Sequence, residues 1–454
     1  MTIALQSFGG AGTVTGSRHL LTGDNAKLLV DCGMFQGAKV LRERNWAPFP
    51  IDPKTIDAVV LTHAHLDHSG YLPKLVREGF EGPIYCTAAT ADLCAILLKD
   101  SAHIAEKDAE YANRKGYSRH KPALPLYTMR DAENALTQLH PIAFGSDENL
   151  PGGATLRFRR AGHILGAAIA EIRLQDRTLI FSGDLGRYGD PFMLDPEAIS
   201  RADYVVVEST YGDRLHPQID PMDALGEIIE RTARRGGTVV IPAFAVGRAQ
   251  LLLYHLWMLK SAGRLQSVPV FLDSPMAVNA TDLLCKHMED HRFKPDVCMA
   301  SCAVATYVND VEASKALTVN RQPKVIISAS GMATGGRVLH HIRAFGPDAR
   351  NTILFSGYQS VGTRGAKLLA GEKATRIFGE WIEIRAEIAE LPMLSAHADA
   401  GEIMRWLKGF SSAPRRVFVV HGEPAAAEAL RVRIDRELGW NCSVVDPARR
   451  YELA

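Results

Sequence analysis

Short, unbroken apolar runs recur along the chain, and each ends abruptly in a polar turn. Lys27-Leu28-Leu29-Val30 runs into Asp31-Cys32-Gly33, and Asp57-Ala58-Val59-Val60-Leu61 into Thr62-His63. Arg177-Thr178-Leu179-Ile180-Phe181 leads to Ser182-Gly183-Asp184, Tyr204-Val205-Val206-Val207 to Glu208-Ser209-Thr210, and Arg416-Val417-Phe418-Val419-Val420 to His421-Gly422-Glu423. Continuous rather than alternating apolar character predicts strands covered on both faces. Polar groups gathered at strand C-termini are the usual arrangement of layered α/β enzymes. Apolar positions at helical spacing predict helices over residues 222–235, 248–259 and 424–438, the last opening on a proline, which the first turn tolerates. Residues 102–116 read as a polar, partly exposed helix. Residues 116–127, with Arg119, His120, Lys121, Pro122 and Pro125, read as a loop.

The middle of the chain has its own alternation. Strand-like runs at 239–241, 268–272, 324–327 and 352–355 are separated by helical stretches. This predicts a separate parallel-sheet domain inserted into the first. The expected divisions are 1–208, 209–385 and 386–454. No internal repeat or low-complexity tract interrupts the pattern.

A chain of 454 residues exceeds one ordinary core, in line with two domains. No apolar run approaches the roughly 20 residues of a membrane helix, so no membrane partner is expected. Met1-Thr2-Ile3-Ala4-Leu5 lacks the basic lead of an export signal. The seven scattered cysteines fit reduced thiols in a cytoplasmic protein better than a disulfide framework. With 52 basic against 51 acidic residues, overall charge neither supports nor excludes nucleic acid, because a local basic groove suffices.

The chemistry concentrates in Thr62-His63-Ala64-His65-Leu66-Asp67-His68-Ser69-Gly70, where four ligand-type side chains fall within six residues behind a strand. Neutral imidazoles suit zinc, and a carboxylate beside them suits a second divalent ion. His163, in the Gly-flanked turn Gly162-His163-Ile164-Leu165-Gly166, and Asp184 and His421, at strand ends, share this context. One site could take His63, His65 and His163, the other Asp67, His68 and His421, with Asp184 shared between two ions roughly 3.5–4 Å apart. A water between them would titrate near pH 7 and serve as hydroxide. Asp31 is expected to orient the histidine loop rather than to bind metal.

This His-x-His-x-Asp-His pattern, with a distant histidine and a strand-end aspartate, resembles the metallo-β-lactamase superfamily of αββα hydrolases. Glu208 in Val-Val-Val-Glu-Ser-Thr-Tyr-Gly, His397 in Ser-Ala-His-Ala-Asp and His421 in Val-His-Gly-Glu resemble motifs A, B and C of the β-CASP nucleases. Pro242-Ala243-Phe244-Ala245-Val246-Gly247-Arg248-Ala249-Gln250 and Ser330-Gly331-Met332-Ala333-Thr334-Gly335-Gly336-Arg337 resemble that branch too. The likeness runs from Gly9 to His421.

The resemblance implies a metallo-β-lactamase αββα sandwich with an inserted parallel-sheet β-CASP domain. It also implies two Zn2+ ions, with Mn2+ or Fe as lesser candidates. Histidine at motif C implies RNA rather than DNA. The nearest branch is that of the bacterial and archaeal proteins similar to the mRNA 3′-end-processing endonuclease. The expected reaction is hydrolysis of single-stranded RNA to 5′-phosphate and 3′-hydroxyl ends. His397 would be the general acid and Glu208 its orienting carboxylate, with Asp67 and Asp31 serving the reaction through the metals and the histidine loop. Internal cutting is expected, with 5′ exonuclease action and a homodimer both left open. Leu251, where many relatives carry Glu, and Gly365-Ala366, where Gly-Arg is frequent, depart from the pattern.

The inserted domain would contribute RNA contacts from Arg248, Ser330, Gly331, Arg337 and Tyr358, with the small-residue turn around Ser328, Gly335 and Gly336 approaching phosphate. Such a turn is as often only a turn. His340-His341 would cap or flank a helix. Cys298 and Cys302 lack partner ligands at zinc-finger spacing. Arg114, Lys115, Arg119 and Lys121 read first as a solvated face. The competing functions are a DNA nuclease of the same family, a thioester or lactone hydrolase of the same fold, and an inactive scaffold. The complete ligand set opposes the scaffold.

Overall fold

The computed structural model describes residues 3–116, 118 and 120–454. It divides into two compact units, Met1–Leu215 with His397–Ala454, and His216–Ala396.

The first unit is built on two seven-stranded mixed sheets. One runs Arg450–Leu453, Ile3–Gly9, Arg18–Thr22, Lys27–Val30, Ala58–Val60, Ile84–Cys86, Leu139–Pro141. Its pairings are antiparallel up to Lys27–Val30 and parallel beyond. The other runs Cys442–Val444, Arg416–Val419, Tyr204–Val207, Arg177–Phe181, Ala168–Leu174, Thr155–Arg160, Asp147–Asn149, parallel over its first four strands and antiparallel over the rest.

Leu5, Leu21, Leu28, Val30 and Val60 of the first sheet share one core cluster with Leu156, Phe158, Ile172, Leu179, Phe181, Val206 and Phe418 of the second. Residues of opposite parity, Leu29, Val59, Val205 and Val417, point to the other faces and are also fully buried. The helix Pro424–Leu438 packs against Arg416–Val419 on such a face. Double coverage is why these strands read as unbroken apolar runs.

The helix expected over 102–116 is the outer half of a longer one, Ala88–Lys115. Its start was masked by its buried half. Thr87 caps it by accepting from the Thr90 amide, Leu93, Leu97 and Leu98 lie buried, and Gly116 ends it at φ 66°.

The second unit is a six-stranded sheet, Thr306–Tyr307, Val270–Leu272, Val325–Ser328, Val239–Pro242, Thr352–Phe355, Glu387–Glu390, in which every pairing is parallel. A hairpin, Ala374–Ile377 with Glu380–Glu383, stands beside it. Val240, Ile326, Ile342, Phe345, Ile353 and Phe355 form its core. The divisions expected at 208/209 and 385/386 fall later, at 215/216 and 396/397. The second moves because Glu387–Glu390 pairs with Thr352–Phe355 and so belongs to this sheet. Among the described residues no helix is long and apolar enough to cross a membrane.

Candidate metal centre

The strand Ala58–Val60 delivers His63 and His65 into the first unit, and a one-turn helix, Leu66–Ser69, carries Asp67 and His68 directly after them. The neighbouring strand Lys27–Val30 ends in Asp31 at φ 60°, a left-handed conformation that aspartate tolerates better than most residues. This twist turns its carboxylate toward the histidine loop. Oδ1 accepts from the Thr62 amide at 2.8 Å, and both oxygens lie within reach of the Thr62 hydroxyl. Oδ2 pairs with His68 Nδ1 at 2.8 Å. In the neutral ring this pairing places the His68 proton on Nδ1 and turns the Nε2 lone pair inward. Gly33 is required for the same close approach, since a Cβ there would lie 1.6 Å from the Asp67 carbonyl oxygen.

His63, His65, His163 and Asp184 place one ligand atom each within 4.8 Å of one another, and Asp67, His68 and His421 do the same. His65 Nδ1 is 3.2 Å from both His63 Nε2 and His163 Nε2. Asp184 Oδ2 is 3.4 Å from His63 Nε2 and 3.6 Å from His163 Nε2. In the second group His68 Nε2 is 3.1 Å from His421 Nε2, which is 3.5 Å from Asp67 Oδ2. Asp184 Oδ1 reaches His68 Nε2 at 3.4 Å and His421 Nδ1 at 3.6 Å.

Ligands about 2.0–2.1 Å from a common tetrahedral zinc are separated by about 3.4 Å, so the spacing fits metal. Two further observations agree. Asp184 Oδ1 is buried and accepts no hydrogen bond, an arrangement too costly for a carboxylate without a nearby cation. The imidazoles of the first group are also kept in their ligand form. Burial, reinforced by the other histidines, pushes His65 down to about 3 and lowers His63 and His163.

Glu208 is fully buried at the end of Tyr204–Val207, where its carboxylate accepts from the Leu185 amide at 2.6 Å. His397 Nδ1 lies 3.2 and 3.3 Å from its two oxygens. Burial pushes the His397 imidazole down, but the carboxylates of Glu208 and Asp184 outweigh it and hold the ring above the ordinary histidine value. The His397 side chain is 16% exposed and that of Asp67 21%, against 2% for Asp184, so solvent reaches the cluster from these two residues.

The His397 loop is fastened to the Asp184 loop by the Ala398 amide on the Leu185 carbonyl at 2.7 Å. It leads into the helix Ala400–Leu407 through a capping box in which Asp399 and Glu402 satisfy each other's amides. The second oxygen of Glu402 accepts from the Tyr188 amide.

Sequence reasoning missed Thr62 and Thr210, whose hydroxyls lie 3.1 Å from His63 Nδ1 and His421 Nδ1. Thr62 stands directly before His63, which was the available signal. Thr210 follows Glu208 by two residues but meets a histidine at the far end of the chain, which no local pattern reveals.

In the second unit Arg248 is buried in the first turn of Arg248–Ser261, and Tyr358 is half-buried after Thr352–Phe355. Ser330 bonds within its own turn, its hydroxyl accepting from the Thr334 and Gly335 amides. Gly331 has no room for a Cβ beside the Phe244 amide, 2.8 Å away. Arg337 binds Asp273 at 2.7 Å and the carbonyls of Val308 and Asn309. The Ser330 hydroxyl and the Arg337 guanidinium are thus engaged within the unit itself. Gly335 is open on the side a Cβ would take, whereas a Cβ on Gly336 would lie 2.5 Å from the Ala329 carbonyl oxygen. His341 lies inside the helix Val338–Phe345 rather than at its end, bonded to Asp273 at 2.6 Å. Of the basic cluster, Arg119 lies outside the described residues, and Arg114, Lys115 and Lys121 are exposed.

Comparison with known proteins follows the same division. The metallo-beta-lactamase superfamily profile matches residues 12–228, the Beta-Casp domain 249–368, and the Zn-dependent metallo-hydrolase RNA specificity domain 381–445. The chain is 40% identical over 437 residues to "Ribonuclease TTHA0252" of Thermus thermophilus, covering 93% of this chain and 94% of that protein. It is 32% identical over 460 residues to "Transcription termination factor FttA" of Methanosarcina mazei, covering 96% of this chain and 69% of that one. A crystal structure of a protein of unknown function from Enterococcus faecalis shares the fold at TM-score 0.54 and 13% identity, covering 100% of both chains. The chain belongs to the β-CASP family of the metallo-β-lactamase superfamily.

Proposed function

We propose that this protein is a metal-dependent ribonuclease that hydrolyses internal phosphodiesters of single-stranded RNA, leaving 5′-phosphate and 3′-hydroxyl ends. The carrying observation is Asp184, whose two oxygens face two separate sets of ligands beside a histidine paired with a buried glutamate. The full-length likeness to a protein named a ribonuclease supports RNA as substrate.

In this reading His63, His65, His163 and Asp184 would hold one zinc ion, and Asp67, His68, His421 and Asp184 would hold a second. When bound, the ions supply Lewis-acid charge for the phosphoryl oxygens and lower the pKa of the attacking water. Asp31 and Thr62 hold His68 and His63 in their liganding tautomers. Glu208 keeps His397 protonated, and His397 gives its proton to the leaving 3′-oxygen. Tyr358 is the proposed stacking contact for a base.

The test is incubation of internally and end-labelled RNA, and of DNA of equal sequence, with protein of measured metal content. Cleavage of RNA alone, abolished by a chelator and restored by zinc, supports the reading. Equal cleavage of DNA, or hydrolysis of a thioester instead, replaces it.

A further inference from the structure

Three of the seven cysteines meet in the second unit, well separated in sequence from every proposed metal ligand. Cys285 is exposed near the end of the helix Pro275–Lys286, and Cys298 is buried on the helix Pro295–Cys302. Their sulfurs are 3.2 Å apart without being bonded. Cys302 follows one helical turn later, beside the Cys298 thiol and partly open to solvent. A cleft of about 550 Å³, lined by Cys285, Cys302, Met299 and Tyr307 among others, gives small molecules access.

The three thiols do not form a metal site. Metal-sized clusters of histidine, cysteine and carboxylate ligands among the described residues occur only at the centre already described. The short separation of one pair points to different chemistry. A closing movement of roughly 1.2 Å would bring the two sulfurs to the about 2.05 Å of a disulfide.

We propose that Cys285 and Cys298 are a reversible oxidation site, joined into a disulfide by peroxide and reopened by a dithiol. Peroxide oxidises the Cys285 sulfur, giving up one oxygen to form a sulfenic acid while the rest leaves as water. The Cys298 sulfur then attacks that of Cys285. The S–S bond forms, the S–O bond breaks, and the proton of Cys298 leaves with the hydroxyl as a second water. A dithiol returns two electrons and two protons.

Exposure makes Cys285 the sulfur that meets peroxide, and the 3.2 Å separation makes Cys298 the thiol placed to resolve it. In the reduced protein, burial first and the neighbouring thiols next push the Cys298 thiol well up, so that thiol rests protonated. The bridge would staple the helix Pro275–Lys286, which follows Asp273, to the helix Pro295–Cys302; Asp273 holds Arg337 and His341.

The experiment uses the full chain, reduced, desalted and treated with hydrogen peroxide. Titratable thiols in denaturant should fall by two, from seven to five. Tryptic mapping without reductant should join fragment 265–286 to fragment 293–315, with a loss of two hydrogens. Because the second fragment carries both Cys298 and Cys302, Cys302→Ser must keep the join and Cys285→Ser must abolish it. Dithiothreitol should reverse it, and the bridged protein should melt roughly 5 °C higher than the reduced one. A join lost in Cys302→Ser, a bridge within fragment 293–315, or oxygen added irreversibly to Cys285 would each overturn the proposal. None of these readouts depends on RNA cleavage.

Discussion

Replacing Asp31 by asparagine separates orientation of the histidine loop from direct ligation. The change keeps size and shape, and asparagine tolerates φ 60° as well as aspartate does. It nevertheless cannot satisfy the site. Oδ1 accepts from the Thr62 amide and Oδ2 from His68 Nδ1–H, so both oxygens face donors. An amide NH2 must confront one of them. Turned toward Thr62, it leaves a buried backbone amide without an acceptor. Turned toward His68, it favours the opposite tautomer, in which Nε2 carries the proton and loses the lone pair offered to metal. Either outcome costs about 1–3 kcal/mol, the penalty for a buried donor left unmade. At about 1.4 kcal/mol per factor of ten, metal affinity at the Asp67, His68 and His421 group should fall roughly 10- to 100-fold. Competition of zinc against a chromophoric chelator measures this directly, with circular dichroism as the check on folding. RNA cleavage should recover when zinc is raised above the weakened dissociation constant. Affinity within twofold of the unmodified protein would refute the argument. So would loss of cleavage that excess zinc does not restore.

His397→Ala should lower turnover about 10²- to 10⁴-fold with metal content intact, and coordinate loss of zinc would make His397 a ligand instead. Asp273→Ala removes a fully buried carboxylate that binds Arg337, His341 and Ser314, and should destabilise the second unit by about 3–5 kcal/mol in urea unfolding. Little change there would show that the cluster contributes nothing. His255, 6% exposed, is held down to about 4, first by burial and then by Arg248. Its folded pKa lies below the unfolded one, so its stability contribution is full above pH 6.5 and is lost as pH falls toward 4, reaching roughly 3 kcal/mol. Melting temperatures between pH 7 and pH 4 should fall less steeply in His255→Leu, and parallel curves would rule this out.

Much of the fold could be read from the chain because burial on both faces writes itself as unbroken apolar runs. Lys27–Val30, Arg177–Phe181, Tyr204–Val207 and Arg416–Val419 all lie where those runs predict strands. The helix Ala88–Lys115 was read only in part, because its buried first half and exposed second half present different patterns. The later boundary of the inserted unit was hidden for a related reason. Glu387–Glu390 is half-exposed, and its place is set by pairing with Thr352–Phe355 rather than by its own composition.

The same division holds at the site. By itself the sequence determined that His63, His65, Asp67 and His68 share one strand-end loop, since six residues of chain cannot separate them. It also determined that Asp184, Glu208 and His421 each end an apolar run. Only the tertiary structure decided that these ends converge, through parallel pairing of Arg177–Phe181, Tyr204–Val207 and Arg416–Val419 in one sheet. Parallel strands present their C-termini at one edge, whatever the length of chain between them. Packing of this sheet against the one that carries Ala58–Val60 then sets His68 Nε2 3.1 Å from His421 Nε2, although the two are 353 positions apart in sequence. Cys285 and Cys298 meet for a similar reason, through two packed helices rather than any spacing the sequence displays.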